Sequence, residues 1–284
     1  MIETVVPSPK LVSIDINGQS VLAPVGSTIL DACRKNNIDV PTMCFLETLS
    51  PFDACRLCVV EVAGSRTLVP SCSREIEGGE EIITESERIT NTRRTLYEMY
   101  ASTVDLSLAD VDTVRWMDHY NVDPERFGAF EAKRDVKVQD DLYIRDYDKC
   151  VLCYRCVAAC GTEAQNTFAI DIVGRGMSSE ISTEYDITLP DSACVYCGNC
   201  IGVCPTGALM FKSEYDMREA GTWDEDRQTI TTTICSFCGV GCSLDLHVQD
   251  NRVVKVTSPL DHDVANGHLC IKGRFGYAYL QEEE

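Results

Sequence analysis

Two stretches of the chain decide its fold: residues 150–160 read CVLCYRCVAAC, and residues 194–205 read CVYCGNCIGVCP. Each has the spacing C-x2-C-x2-C-x3-C, and Pro205 follows the last cysteine of the second stretch. A C-x2-C turn lets two thiolates converge on one metal centre. The spacing therefore predicts metal binding at both stretches, and zinc could use such pairs as well as iron.

Three close thiolates with a fourth on the following helix resemble the bacterial ferredoxins, which bind 4Fe-4S clusters. In those two-cluster modules the fourth cysteine of each run ligates the other cluster. The resemblance therefore predicts two crossed ligand sets, which are Cys150, Cys153, Cys156 with Cys204, and Cys194, Cys197, Cys200 with Cys160. The alternative is a pair of zinc knuckles, each held by four cysteines.

The other cysteines fall into two further sets of four. The chain has 17 cysteines, and a cysteine-rich chain of this size in a reducing compartment is expected to bind metal rather than to form disulfides. The two sets are Cys44, Cys55, Cys58 and Cys72, and Cys235, Cys238, Cys242 and Cys270. Cys33 is left over on a predicted helix, where we expect a buried apolar residue.

The first set follows a hairpin and a helix. Residues 11–16 and 20–25 alternate like strands around an Asn17-Gly18 turn. Thr28, with an aspartate three residues later, predicts a capping box for a helix near residues 29–36. This order resembles the 2Fe-2S ferredoxin fold, although the first gap between cysteines is ten residues where plant-type ferredoxins have four.

The wider gap points to a particular family. The segments GSTILDACRKNNIDVPTMCF at residues 26–45 and CRLCVVEV at residues 55–62 are similar to the amino-terminal domain of the large iron-sulfur subunit of NADH dehydrogenase. Diaphorase subunits of NAD-linked hydrogenases and alpha chains of NAD-dependent formate dehydrogenases share this domain. The resemblance implies one 2Fe-2S cluster on Cys44, Cys55, Cys58 and Cys72.

The last set resembles a second family. TICSFCGVGCSLDLHV at residues 233–248 and GHLCIKGRFGYAYL at residues 267–280 are similar to the amino-terminal iron-sulfur domain of molybdenum or tungsten bis-pterin oxidoreductases, formate dehydrogenases above all. The resemblance implies that Lys272 lies between cluster and pterin, and that the cluster is a 4Fe-4S centre on Cys235, Cys238, Cys242 and Cys270. An ordinary solvated lysine is the alternative. The chain ends where a formate dehydrogenase would begin its pterin-binding domains, so no catalytic residue is assigned.

One cluster of these relatives is absent from the pattern. They usually carry a histidine and three cysteines between the 2Fe-2S domain and the ferredoxin-like module, whereas residues 73–149 contain no cysteine and only His119. Helical spacing at residues 89–100 and 111–120 predicts that the scaffold persists without its metal. We therefore expect His119 to be a surface or packing residue.

Composition limits the partners. Lysine plus arginine number 25 against 45 aspartate plus glutamate, a net charge of −20, which repels phosphate backbones and anionic lipids. No run approaches the ~20 apolar residues of a membrane span, and the first ten residues lack the pattern of a signal peptide. We expect a cytoplasmic chain that binds neither nucleic acid nor membrane. Because no dinucleotide fingerprint or P-loop is present, FMN and NAD(H) are expected only in partner subunits.

These motifs predict an α+β, multidomain iron-sulfur protein. Its parts are a β-grasp 2Fe-2S domain at residues 1–80, a helical connector at 81–140, a bacterial-type two-cluster 4Fe-4S module at 141–215 and a small β-rich 4Fe-4S domain at 230–284. One 2Fe-2S and three 4Fe-4S clusters without a substrate site predict an electron relay.

By resemblance, the chain is an iron-sulfur subunit of a hetero-oligomeric NAD(H)-linked oxidoreductase. It would relay electrons between a flavoprotein that binds NAD(H) and a catalytic subunit of the formate dehydrogenase type. One alternative pairs the same relay with a hydrogenase or with an electron-bifurcating transhydrogenase that also uses ferredoxin. The other alternative is a non-redox scaffold in which the cysteines hold zinc.

Overall fold

The computed structural model describes residues 10–128, 134–261 and 264–281, without the side chain of Met177. The chain forms two compact units. The first comprises Met1–Phe45, Pro51–Thr103 and Val111–Ala129, and the second comprises Leu46–Ser50, Val104–Asp110 and Phe130–Glu284. Within the described residues, no helix is long and apolar enough to cross a membrane. The finer division into four domains stays a prediction.

The first unit is built on a five-stranded mixed sheet with the strand order β2-β1-β5-β3-β4. Its strands are β1 Leu11–Ile16, β2 Gln19–Pro24, β3 Val59–Val62, β4 Val69–Pro70 and β5 Glu81–Ile83. β1 and β2 are antiparallel, and β1 pairs in parallel with β5. Asn17 and Gly18 connect β1 to β2 with positive φ angles, so the predicted hairpin is confirmed.

Helix α1 (Ile29–Lys35) packs its apolar side chains into the core of this unit. The predicted capping box is present, because Asp31 N donates to Thr28 Oγ1 at 3.1 Å and Thr28 N donates to Asp31 Oδ2 at 3.0 Å. Cys33 is fully buried on this helix. Burial raises the pKa of the Cys33 thiol to about 11, so the thiol stays protonated at neutral pH and behaves as an apolar core group.

Two further helices belong to the first unit, α2 (Glu87–Thr103) and α3 (Val111–His119). They cover the segments with helical spacing, so the predicted helices are confirmed. His119 is exposed at the end of α3. Its ring packs edge-on against the rings of Trp116 and Tyr120, which is a packing role.

The second unit begins with a three-stranded antiparallel sheet in the order β10-β7-β6 and a two-stranded sheet β8-β9. The strands are β6 Lys137–Val138, β7 Tyr143–Arg145, β8 Asp171–Val173, β9 Glu180–Ser182 and β10 Leu209–Phe211. The helices are α4 Arg155–Cys160, α5 Asn199–Gly202 and α6 Lys212–Glu219. Because α4 and α5 begin inside the two cysteine runs, α4 carries Cys156 and Cys160 and α5 carries Cys200, whereas Cys204 follows the end of α5.

The end of the second unit is an antiparallel sheet β11-β12-β13 followed by helix α7. The bounds are β11 Thr229–Ile234, β12 Ser243–Gln249, β13 Arg252–Thr257 and α7 Ile271–Phe275. Short 3-10 helices lie at Tyr147–Lys149, Gly176–Ser178, Glu184–Asp186, Leu189–Asp191, Glu225–Arg227 and Gly276–Leu280. Leu244, Val256 and Leu269 form a small core with Cys235.

Candidate metal centres

Four cysteines line a small cavity of about 20 Å³ in the second unit: Cys150, Cys153, Cys156 and Cys204. We call it the first cavity. Three of these cysteines come from the first run, whereas Cys204 ends the second run. Tyr147, Ile181 and Leu209 contribute to the rest of the wall. The structure brings together the four residues that the resemblance assigns to one centre.

A second cavity, of about 30 Å³, is lined by the complementary four: Cys160, Cys194, Cys197 and Cys200. Here Cys160 is the contribution of the other run. Cys156 of the first cavity and Cys200 of the second interact electrostatically, so the two cavities are neighbours.

The two runs use the same backbone turns. Leu152 and Tyr196, directly before the second cysteine of each run, have φ angles of 52° and 54°. Tyr154 and Gly198, directly after it, have φ angles of 64° and 69°. A left-handed residue other than glycine is unfavourable by about 1–2 kcal/mol, and such strain is concentrated at functional sites. The two loops therefore have the same local backbone conformation, and each curves around its own cavity.

Hydrogen-bond donors point at cysteine sulfurs of the second cavity. Tyr143 Oη lies 3.0 Å from Cys194 Sγ, and the backbone N of Tyr196 donates to the same sulfur at 3.4 Å. The backbone N of Ala169 donates to Cys160 Sγ at 3.2 Å. Such bonds favour the thiolate and tune a metal centre that the thiolate ligates.

Burial raises the pKa of several thiols that line the two cavities. Burial, with nearby thiols adding to the effect, raises the pKa of Cys150 to about 11 and that of Cys153 to about 12. The pKa values of Cys156 and Cys200 are raised well above the usual range, first by burial. Since the thiolate is the ligand, a bound metal must displace these protons and supply the compensating positive charge.

The set in the first unit, Cys44, Cys55, Cys58 and Cys72, is fully buried. Cys58 Sγ lies 3.3 Å from Cys72 Sγ, and the backbone N of Cys55 donates to Cys44 Sγ at 3.5 Å. Hydrogen bonding with Cys72 lowers the pKa of Cys58 to about 7. Cys55 interacts electrostatically with both Cys44 and Cys58, so the Cys44–Cys55 pair and the Cys58–Cys72 pair are neighbours. The structure brings these four residues together as well.

A buried arginine holds the C-x2-C loop of this set. The Arg93 side chain on α2 is fully buried. Its Nε donates to the carbonyl oxygen of Leu57 at 2.9 Å, and its Nη2 donates to that of Val59 at 2.9 Å. These two carbonyls flank Cys58. Nη1 also donates to Tyr120 Oη at 2.7 Å and pairs with Glu85, so α2 fixes the position of the loop.

The fourth set lies at the surface of the second unit. Cys235 is buried and Cys242 is half-buried, whereas Cys238 and Cys270 are exposed. Cys235 N donates to the carbonyl oxygen of Cys242 at 2.8 Å, which closes the loop between them. Burial and then the other three cysteines raise the pKa of Cys242, so all four are neighbours. A centre held here would be close to solvent.

Two residues of α7 have opposite environments. Lys272, the residue predicted to face a pterin, is exposed, and its role stays a prediction. Arg274 is completely buried and donates to the carbonyl oxygen of Cys197 at 3.3 Å. Burial lowers the pKa of Arg274 to about 10.

Sequence reasoning missed Arg274, Arg93 and Tyr143, because no spacing rule marks a side chain that acts on a remote segment of the chain.

His247 and His268, the described histidines of the second unit, do not join the cysteine sets. His247 Nε2 lies 2.9 Å from Thr257 Oγ1 across two strands, and the pKa of His268 is lowered by burial. Over the described ranges, no three His, Cys, Asp or Glu side chains converge closely enough for a single metal ion. In a 4Fe-4S cluster each cysteine binds a different iron atom, and in a 2Fe-2S cluster each iron binds two cysteines, so the thiols are spaced by the cluster.

Three sequence families match segments of the chain. The 2Fe-2S iron-sulfur cluster binding domain matches residues 9–87. The ferredoxin-like domain of NADH-quinone oxidoreductase subunit 3 matches residues 142–210, and the molybdopterin oxidoreductase Fe4S4 domain matches residues 228–282. The chain is therefore an iron-sulfur protein of mixed α/β domains, as its cysteine spacing predicts.

Its relatives are subunits of oxidoreductases. The chain is 32% identical over 280 residues to the NADPH-Fe(3+) oxidoreductase subunit alpha of Geobacter sulfurreducens, which covers 96% of the chain and 32% of the relative. It is 31% identical to an NADH-quinone oxidoreductase subunit of Rhizobium meliloti, with 96% and 32% covered. The NADP-reducing hydrogenase subunit HndD of Solidesulfovibrio fructosivorans is 35% identical over 212 residues, with 71% and 36% covered.

A solved structure agrees with these relatives. The crystal structure of an NAD+-reducing [NiFe]-hydrogenase in the H2-reduced state contains a chain with a TM-score of 0.58 and 25% identity, covering 71% of this chain and 87% of that one. The comparisons confirm the resemblance to iron-sulfur subunits of NAD(P)-linked oxidoreductases. The chain spans about a third of the length of the curated relatives named above.

Proposed function

We propose that this chain is the electron-relay part of a multisubunit NAD(P)H-linked oxidoreductase, carrying one 2Fe-2S and three 4Fe-4S clusters. The observation that carries the proposal is the pair of neighbouring cavities, each lined by three thiols of one run and one of the other. The proposed ligands are the four cysteine sets described above, with the crossed assignment in the tandem module. When bound, such clusters accept and release single electrons.

The residues of the chain provide the environment that this chemistry needs. The walls of the two tandem cavities are mainly apolar. The hydroxyl of Tyr143 and the backbone amides of Ala169 and Tyr196 are hydrogen-bonded to cysteine sulfurs. These donors stabilise negative charge on the sulfur ligands, and the stabilisation is larger when the ligands carry more charge. No substrate bond needs to be broken at any of these sites.

We further propose that the partners are a flavoprotein that binds NAD(P)H and a catalytic subunit of the formate dehydrogenase type. Putative formate dehydrogenases of Staphylococcus match 95% of this chain, whereas the hydrogenase subunit HndD matches 71%. The match of residues 228–282 to a molybdopterin oxidoreductase domain favours the same choice. A hydrogenase or a bifurcating transhydrogenase is the second candidate, favoured by the likeness to the hydrogenase structure. All 17 cysteines are free thiols, which suits the reducing cytoplasm.

The test is purification of the complex from its host under anaerobic conditions, through a tag on this chain. We expect NADH or NADPH to bleach the visible absorbance of the clusters in the complex and to leave the isolated chain unchanged. Formate should do the same if the catalytic partner is of the formate dehydrogenase type, and hydrogen gas should do so if it is a hydrogenase. Clusters that neither nicotinamide reduces within the intact complex would contradict the proposal.

Bifurcation makes a distinct prediction in the same preparation. A bifurcating complex needs oxidised or reduced ferredoxin together with NAD(H) for full turnover. We expect a formate dehydrogenase type complex to reduce NAD with formate alone. A strict requirement for ferredoxin would move the assignment to the second candidate.

A further inference from the structure

The guanidinium of Arg274 occupies a buried position beside the second cavity. Its Nε donates to the carbonyl oxygen of Cys197 at 3.3 Å, and its Nη2 donates to Asn199 Oδ1 at 3.1 Å. On its other side, longer hydrogen bonds of 3.4 Å and 3.5 Å reach the carbonyl oxygens of Val256 and Gly267. The side chain thus links the C-x2-C loop of the second run to the sheet and loop that precede α7.

Two glycines provide the space for this side chain. A Cβ atom on Gly198 would lie 3.0 Å from Arg274 Cγ, and one on Gly202 would lie 3.3 Å from Arg274 Nη1. Gly198 also has a φ of +69°, which favours glycine. The second run therefore has glycine at the two positions where a larger residue would exclude the arginine. The slot fits this side chain.

The charge of Arg274 has no carboxylate counterion among the described residues. Its four hydrogen-bond acceptors are neutral carbonyl or amide oxygens. An isolated charge is strongly unfavourable in a buried position unless an opposite charge compensates for it. Three ionisable groups interact electrostatically with Arg274, namely Cys197, Cys200 and His268. The two cysteines line the second cavity, whereas the imidazole of His268 cannot supply a negative charge.

We propose that Arg274 is the charge-compensating residue of the centre held by Cys160, Cys194, Cys197 and Cys200, and that it raises the midpoint potential of this centre. The inference rests on the proposed function, because it requires a cluster in the second cavity. A cubane with four thiolate ligands is negatively charged, and its one-electron reduction adds one more negative charge. A fixed neighbouring cation favours that reduced state. Arg274 keeps its proton throughout, so no proton moves with the electron.

The position of Arg274 also has a consequence for the relay. The residue lies four positions after Cys270, on the helix that begins at a proposed ligand of the surface centre. The positive charge of Arg274 stabilises the reduced form of the centre in the second cavity. This cavity lies on the side of the tandem module that contacts the carboxyl-terminal sheet. Arg274 therefore acts on the centre through its charge and is not one of its ligands.

The experiment is a redox titration of the anaerobically purified full chain with dithionite as reductant, followed by EPR. We compare the wild type with Arg274→Gln, and we use Arg252→Gln as the control, since Arg252 is an exposed arginine on β13. Arg274→Gln should lower the equilibrium constant for reduction of one 4Fe-4S centre at least tenfold, about 59 mV for a one-electron couple. Arg252→Gln should change the equilibrium constant for reduction of every centre by no more than a few-fold. The affected centre is assigned by its loss in Cys197→Ser.

Each outcome decides a separate question. A wild-type chain without 4Fe-4S signals contradicts the proposed function itself. Intact signals with an unshifted potential in Arg274→Gln, or an equal shift in Arg252→Gln, overturn only the role of Arg274. If Arg274→Gln loses the centre, Arg274→Lys decides. Retention of the centre by the charged lysine supports compensation, and its loss in both variants overturns it.

Discussion

Replacing Arg93 by methionine removes the side chain that holds the C-x2-C loop of the first set. In the structure this guanidinium donates to the carbonyl oxygens of Leu57 and Val59 and to Tyr120 Oη. Methionine has a similar length but no donor, so the two carbonyl oxygens lose the arginine, whereas Tyr120 Oη keeps its hydrogen bond to Glu85 at 2.9 Å. The loop that carries Cys58 is then held only by its own strand pairing.

The expected size of the effect follows from these contacts. A buried acceptor left without a donor costs about 1–3 kcal/mol, so the two carbonyl oxygens, at about 2 kcal/mol each, give about 4 kcal/mol. The ion pair with Glu85 adds little, because the Glu85 side chain is 42% exposed. Apolar packing of the methionine offsets about 1 kcal/mol. The net loss of about 3 kcal/mol corresponds to roughly a hundredfold increase in loop opening.

The assay is anaerobic loss of the 2Fe-2S chromophore in guanidinium chloride, followed by visible circular dichroism. We expect cluster loss from Arg93→Met to be about a hundredfold faster than from the wild type. Arg88→Met is the matched control on the same helix, since Arg88 is exposed and donates to the Arg66 carbonyl oxygen at 3.1 Å, away from the cysteines. Equal rates for Arg93→Met and the wild type would refute the reasoning, as would an equally large effect of Arg88→Met.

Three further predictions concern the cysteine sets and their neighbours. Cys204→Ala should remove the EPR signal of the cubane in the first cavity, and Cys160→Ala should remove the signal of the cubane in the second cavity. If each variant instead lost the cubane bound by the other three cysteines of its own run, the crossed assignment would be contradicted. Tyr143→Phe removes the hydroxyl beside Cys194 Sγ and should make one 4Fe-4S potential more negative while all centres are retained, so an unchanged potential in an EPR titration would rule out this role. Cys33→Ala should lower the free energy of unfolding of the first unit by about 1 kcal/mol yet leave the 2Fe-2S spectrum intact, whereas a lost spectrum would make Cys33 a ligand.

The sequence predicted the features that depend on local chemistry. The hairpin at Asn17 and Gly18 needs residues that tolerate positive φ, and the capping box at Thr28 needs an aspartate three residues later; both are visible in the letters of the sequence. For these two features, sequence and structure agree. The C-x2-C pairs are equally local, because two thiols on one turn can serve one centre only at fixed spacing, but the assignment of each full set to one cluster stays a prediction.

The groups around the cysteines could not be predicted in the same way. Arg93 and Arg274 bind backbone carbonyls of remote segments, and a carbonyl has no sequence signature. Each arginine lies on a helix among ordinary neighbours, so a solvated side chain was the natural expectation. The spacing of cysteines in the sequence also does not predict how deeply each cysteine is buried. The exposure of Cys238 and Cys270 is therefore seen only in the structure.

The most direct test of the account is the iron and zinc content of the anaerobically purified chain, together with low-temperature EPR after reduction by dithionite. We predict about 14 iron atoms per chain, two in the 2Fe-2S cluster and four in each of three cubanes. The two tandem cubanes should give interacting signals, because their cavities are neighbours. A colourless protein that contains zinc and gives no EPR signal would contradict the account.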